Sequence, residues 1–229
     1  MTSARDDLFA NLRRSLSVTG TERIRVAEVE ERLAEAPLGV IPARGQLDAA
    51  GRLALFKAMA EAASATVTEV ESPEAVPQAV AAYLRDHNLP ATLRMGSDPR
   101  LAAMPWRDTS LEIASGRSDG HDLNAISHAF GAVAETGTLV MTSGADNPTT
   151  LNFLPDNHIV VLSAADVGGD LESVWPKLRK ALGKGAMPRA LNMVTGPSRS
   201  ADIEQTLFLG AHGPRSLHIV LVKDAASAG

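Results

Sequence analysis

The chain has 229 residues, a formal charge of −5 and 45% hydrophobic residues, close to the globular average, which excludes wholesale disorder. It has no cysteine, which excludes disulfides, thiolate zinc sites and iron–sulfur ligation on this chain. The negative charge and an aromatic content of 3% argue against a nucleic-acid face. The longest apolar runs, such as HIVVL and LHIVLV, are far too short to cross a bilayer, which argues against a membrane partner.

The N-terminus, MTSARDDLFANLRRSL, alternates acids and bases and lacks the apolar core of a signal peptide, so the expectation is a cytoplasmic protein. The first sixty residues carry nine basic and eight acidic groups, against thirteen and nineteen afterwards, so the acidity belongs to the rest of the chain. This first part reads as helix throughout. DDLFANLRRSL sets Leu8, Leu12 and Leu16 on one stripe, ERIRVAEVEERLAEAP is amphipathic and stops at Pro37, and QLDAAGRLALFKAMAEAASA is a third helix. The expected organisation is a helical N-terminal extension over 1–60 and an α/β domain over 61–229. The extension either packs on that domain or reaches another subunit.

After residue 64 short strands alternate with helices. TVTEV, ATLRM, SLEIA, HIVVLS, ALNMVT and SLHIVLV read as strands, and PEAVPQAVAAYLRDH, DPRLAAM, DLESVWPKLRKAL and SADIEQTLF as helices. Apolar strands between helices predict a mostly parallel sheet buried on both faces. In AISHAFGAVAETGTLVMTS two strand-like runs flank a Thr-Gly turn with no room for a crossover helix, so a hairpin is expected to insert an antiparallel pair into that sheet.

Two Gly-shaped turns carry the candidate chemistry. In VTGPSRSADIEQT a strand that stops at Gly196 and Pro197 and re-enters a helix would present free amides to an anion; Ser198 adds a hydroxyl and Arg199 a planar cation. The other reading is a helix cap, with Asp202 and Glu204 complementing the dipole. In AETGTL, Glu135 is an ionisable group among apolar strand residues; it is either an exposed turn acid or a general base, nucleophile or ligand group. Between them runs a polar loop containing Asn152, and His158 opens the next strand. A second Gly-Pro-Arg-Ser stretch, GAHGPRS, should enter the last strand at the sheet edge away from Ser198, because a nine-residue helix spans about 13 Å. Gly-x-Gly-x-x-Gly, Walker A, His-Glu-x-x-His and Gly-x-Ser-x-Gly motifs are all missing from the sequence.

AVAETGTLVM, LPDNHIVVL and TGPSRSADIEQTLFLGAHGPRSLHIVLV, in that order, closely resemble the lactate utilization protein C family (LutC, or YkgG), whose members share the LUD domain. The resemblance covers about 65–223. It implies a three-layer α/β/α sandwich with a mostly parallel sheet, like ribose-phosphate isomerase, glucosamine-phosphate deaminase and CoA transferases. It also implies a role in oxidising L-lactate to pyruvate beside partners that hold the iron–sulfur clusters, with no cofactor on this chain. Family motifs fall on Glu135, Thr136, Gly137, Thr138, His158, Gly196, Pro197, Ser198, Arg199, Asp202 and Glu204. The expectation is therefore a pocket for a small carboxylate or phosphate. Arg199, the amides after Gly196 and Ser198 would hold the anion, Glu135 would act as base or acceptor, and Asn152 and Thr138 would line the wall. Two rivals stand beside it: an assembly protein without ligand chemistry, and a lone enzyme acting on an acyl-CoA or sugar phosphate.

Overall fold

Local signals set the helix starts. In helix α1 (Ala4–Ser15) Ser3 and Asp6 form a reciprocal capping box, and helix α2 (Arg23–Glu35) ends at Ala36 in the left-handed conformation, just before Pro37. The structure, a computed structural model, describes residues 3–203, 206–210 and 212–223; within 200–209 it describes backbone only. Residues Met1–Ile41 form one compact unit and Pro42–Gly229 another. Helix α3 (Ala49–Ala62) starts where Asp48 accepts the Gly51 amide at 2.7 Å. Its Phe56 and Ala60 are fully buried in the larger unit, so this third helix packs with the α/β part.

In chain order the larger unit continues with strand β1 (Thr66–Val70), helix α4 (Val76–Asp86), β2 (Thr92–Met95), α5 (Pro99–Ala102), β3 (Glu112–Ser115) and β4 (Asn124–His128). Then come β5 (Gly131–Val133), β6 (Thr138–Thr142), α6 (Thr149–Phe153), β7 (Asn157–Ser163), β8 (Val167–Gly168) and α7 (Val174–Leu182). The last elements are β9 (Leu191–Val194), β10 (Arg199–Ile203), β11 (Thr206–Leu209) and β12 (Ser216–Val222). Six strands form one sheet in the order β1-β12-β7-β4-β2-β3, and every pairing in it is parallel. Val80 and Leu84 of α4 pack on one face with Trp106, while α3 covers the other with Phe56, so the strands are apolar on both sides. This is the mostly parallel, helix-flanked α/β sheet the sequence predicts.

Two expectations change. The hairpin does not enter the parallel sheet: β5 and β6 pair antiparallel and, with β8 and β9, make a second sheet in the order β8-β5-β6-β9. Alternation explains it. Ala132, Leu139 and Met141 face the core of the parallel sheet, while Val133 and Val140 face Val174 of α7, so this small sheet is itself a layer with two apolar faces. The stretch SADIEQTLF is not the expected helix: its described residues, 200–203 and 206–208, belong to the antiparallel pair β10–β11. Its flanks decide this: Ser198 donates its amide to the Pro214 carbonyl at 2.8 Å, and its own carbonyl accepts the Gly210 amide at 3.0 Å. Those bonds bring the two ends together, which a helix of that length would hold about 13 Å apart. Among the described residues no helix is long and apolar enough to cross a membrane.

Candidate active site

A cavity of about 270 Å³ lies at the amino ends of β7 and β12, lined by Asn152 and Phe153 of α6, His158, Met193 to Arg199, His212 to Pro214 and Leu217. Five predicted site residues meet here: Asn152, His158, Gly196, Ser198 and Arg199. The strand that leads into Gly196, β9, belongs to the small antiparallel sheet, which is why this wall stands at the amino ends of the parallel strands. Residues 212–214 of GAHGPRS, expected at the far edge, also join the wall: the His212 amide donates to Ser198 Oγ at 3.3 Å.

The buried part of this wall is a chain of neutral groups. His158 and Asn152 are each 1% exposed. His158 Nε2 lies 3.1 Å from Ser127 Oγ, which donates to Asn152 Oδ1 at 3.4 Å. A hydroxyl has one hydrogen, so Nε2 carries the proton and Nδ1 is left as a bare acceptor. Among the described residues His158 Nδ1 and Asn152 Nδ2 have no hydrogen-bond partner. The wall therefore holds one free acceptor and one free donor. Turning the amide over reverses the chain and exchanges the two roles, but leaves the same pair. Desolvation pulls the His158 pKa down to about 4, so the ring is neutral at physiological pH.

Arg199 has a different task from the one its sequence suggests. With no helix after Pro197, the expected cradle of helix amides is absent; instead Arg199 Nη2 donates to the Ala63 carbonyl at 2.5 Å and caps α3. Gly196, at φ +75°, lies so close that a Cβ would sit 2.1 Å from that same carbonyl oxygen. The guanidinium is exposed and keeps further donors for the cavity it lines. Asp202 is on β10, and its side chain is outside the described residues, as is Glu204 altogether.

Glu135 does not line this cavity. The two turns adjoin through β6–β9 pairing and a hydroxyl run, Thr136 to Thr138 at 2.7 Å and Thr138 to Thr195 at 2.7 Å. The Glu135 carboxylate, however, is buried and accepts from Arg44 Nε at 3.4 Å. Its amide donates to the Gly169 carbonyl at 3.1 Å. Gly137, at φ +65°, packs on α3, where a Cβ would come within 2.4 Å of the Ala60 nitrogen. Both glycine turns are thus shaped by close approach to the end of α3.

Beside Gly168 lies a second cavity of about 240 Å³, beyond the carboxyl ends of β4 and β7, with Arg52, Phe130, Asp166, Ser173 and Lys177 in its wall. Sequence reasoning named none of these, nor Ser127. The cavity residues come from five separate elements or loops, and only an excess of ionisable side chains just after apolar strands hints at them.

Known proteins sharpen this picture. Residues 121–222 match the LUD domain. The chain is 36% identical over 93 residues to lactate utilization protein C of Geobacillus thermodenitrificans, covering 40% of this chain and 39% of that protein. It is 33% identical over 93 residues to the protein of that name in Bacillus subtilis, and 31% over 120 residues to that of Halalkalibacterium halodurans, which covers 52% of each chain. The matched stretches thus span about two fifths to one half of these relatives. Among solved structures, a DUF162 family protein from Deinococcus radiodurans superposes with a TM-score of 0.56 at 20% identity, covering 77% of this chain and 99% of that one. That likeness is one of fold.

Proposed function

We propose that this chain, which carries a LUD domain over residues 121–222, serves lactate utilization in the cytoplasm as a cluster-free subunit beside iron–sulfur partners, and holds a small 2-hydroxy acid in the amino-end cavity. One observation carries the ligand: the paired unsatisfied nitrogens of His158 and Asn152. A buried polar atom without a partner is costly, on the order of 1–3 kcal/mol, and a ligand that supplies both partners recovers that cost. A 2-hydroxy acid brings a hydroxyl donor for His158 Nδ1 and a carboxylate acceptor for the Asn152 amide, with Arg199 at the rim for its charge. A 2-oxo acid brings acceptors only and leaves one wall atom unmatched in either orientation of the chain.

Size supports the same choice. At about 270 Å³ the cavity is below the range of roughly 300–1,000 Å³ typical of drug-sized ligands, which suits a three-carbon acid better than an acyl-CoA. Titration calorimetry on the purified chain tests the reading. L-lactate binds at least ten-fold more tightly than pyruvate, and Asn152→Leu abolishes that preference while the circular-dichroism melt stays cooperative. In cells lacking the native gene, the same variant fails to restore growth on L-lactate. Unchanged binding and growth with a folded Asn152→Leu protein would overturn the proposal. The assembly reading draws on α1 and α2, neither of which contains a buried residue. Co-purification of the iron–sulfur partners with a chain lacking residues 1–41 tests it, and undiminished recovery would count against that arm.

A further inference from the structure

The carboxyl-end cavity has a charge imbalance. Two cations and one carboxylate line it, and they are not equally satisfied. Lys177 Nζ pairs with Asp166 Oδ1 at 2.6 Å, donates to the Phe130 carbonyl and lies 4.7 Å from the centre of the Phe130 ring. Arg52, projecting from α3, is half-buried; its Nε is fully shielded and has no hydrogen-bond partner among the described residues, and its guanidinium enters no ion pair among them. Burying part of a guanidinium without a counter-charge is unfavourable, so an anion that reaches its outer nitrogens improves this arrangement.

We infer that the carboxyl-end cavity is a second ligand site, taking a small monocarboxylate on Arg52. Three features select that class. The planar fork of Arg52 matches a carboxylate in a bidentate fashion. Arg52, Lys177 and Asp166 together sum to one positive charge, so a monoanion neutralises the cavity, whereas hydrogen phosphate would leave a net negative charge beside Asp166. The volume of about 240 Å³ is that of roughly eight waters, room for a small acid and below the range of drug-sized ligands. This site and the amino-end cavity share no lining residue, so it stands or falls independently of the proposed lactate site.

Acetate is the probe. The full-length chain is titrated with acetate at constant ionic strength, with chloride and hydrogen phosphate as the other arms. Acetate binds saturably, hydrogen phosphate binds at least ten-fold more weakly, Arg52→Gln weakens acetate at least ten-fold, and Asn152→Leu leaves this binding unchanged. A second measurement needs no variant: phenylglyoxal modification of Arg52, located by peptide mass spectrometry, is slowed by acetate, while modification of the exposed Arg107 is not. Acetate affinity that survives Arg52→Gln, equal affinity for hydrogen phosphate, or labelling of Arg52 indifferent to acetate each overturns the site. Loss of acetate binding in Asn152→Leu alone would assign acetate to the amino-end cavity and likewise overturn it.

Discussion

The two cavities lie at opposite ends of the parallel strands and solve recognition by opposite means. At the amino ends the selecting atoms are neutral, deeply buried and joined by the Ser127 hydroxyl, with the charged Arg199 at the surface. At the carboxyl ends the selecting atoms are charged, and an ion pair has already consumed one of the two cations. A neutral donor and acceptor discriminate by matching hydrogen bonds and respond little to salt; an unpaired guanidinium discriminates by charge and is screened by it. Raising ionic strength should therefore weaken acetate at Arg52 more than L-lactate at His158, and equal salt dependence would dissolve the distinction.

The largest expected effect separates the walls mechanically. Gly196→Ala places a Cβ against the Ala63 carbonyl at positive φ, so it should cost about 3 kcal/mol or more by denaturant unfolding. By contrast Gly183→Ala, at φ +93° and ψ 158° with nothing within 4 Å of the new Cβ, should cost less, about 1–2 kcal/mol from the backbone conformation alone. Similar losses for the two would show that the Ala63 approach is not tight.

Acid comes next. The folded pKa of His158, about 4, is below its unfolded value of 6.5, so the unfolded state binds more protons between those limits. Stability from the neutral ring is then fully present above pH 6.5 and is lost as pH falls toward 4. Between pH 7.5 and pH 5 the share of His158 amounts to about 2 kcal/mol. His218, on the opposite sheet face, is also pulled down to about 4, by desolvation and by His87, and adds a similar slope. His158→Gln should flatten the pH dependence by its share, read from unfolding at the two pH values; an unaltered slope would mean that the ring is hydrated in solution.

Ser127→Ala should lose about 1–2 kcal/mol, since it strands His158 and Asn152 together, and should erase the preference for L-lactate over pyruvate while acetate binding at Arg52 persists. The smallest effect is that of Arg199→Ala, about 1 kcal/mol or less from the lost cap on α3. A drop well beyond that would assign Arg199 a larger structural part than capping.

Much of the framework was legible because it rests on local rules. The stop before Pro37 and the apolar strands of the parallel sheet both follow from spacing and composition. The sites were only half legible. Asn152, His158, Gly196, Ser198 and Arg199 were named and do meet, yet Ser127, which links the first two, is an unremarkable serine within a strand. Glu135 was read as facing Arg199; its true partner, Arg44, comes from a loop 91 residues earlier, which no local signal can reveal.

The sequence alone determined a mostly parallel core sheet, because strands buried on both faces must be apolar throughout and joined by crossovers; that the hairpin stays out of it was decided by packing. It also determined, through the lack of cysteine, that the given sequence offers no thiolate to ligate a cluster. Tertiary structure decided the rest. SADIEQTLF reads as a helix, but bonds from Ser198 to Gly210 and Pro214 hold its flanks together, and its described residues pair as β10 and β11 instead. The same closure carried residues 212–214 to the amino-end cavity and left Arg52 unpaired on the other side, because partners distant in sequence are chosen by packing.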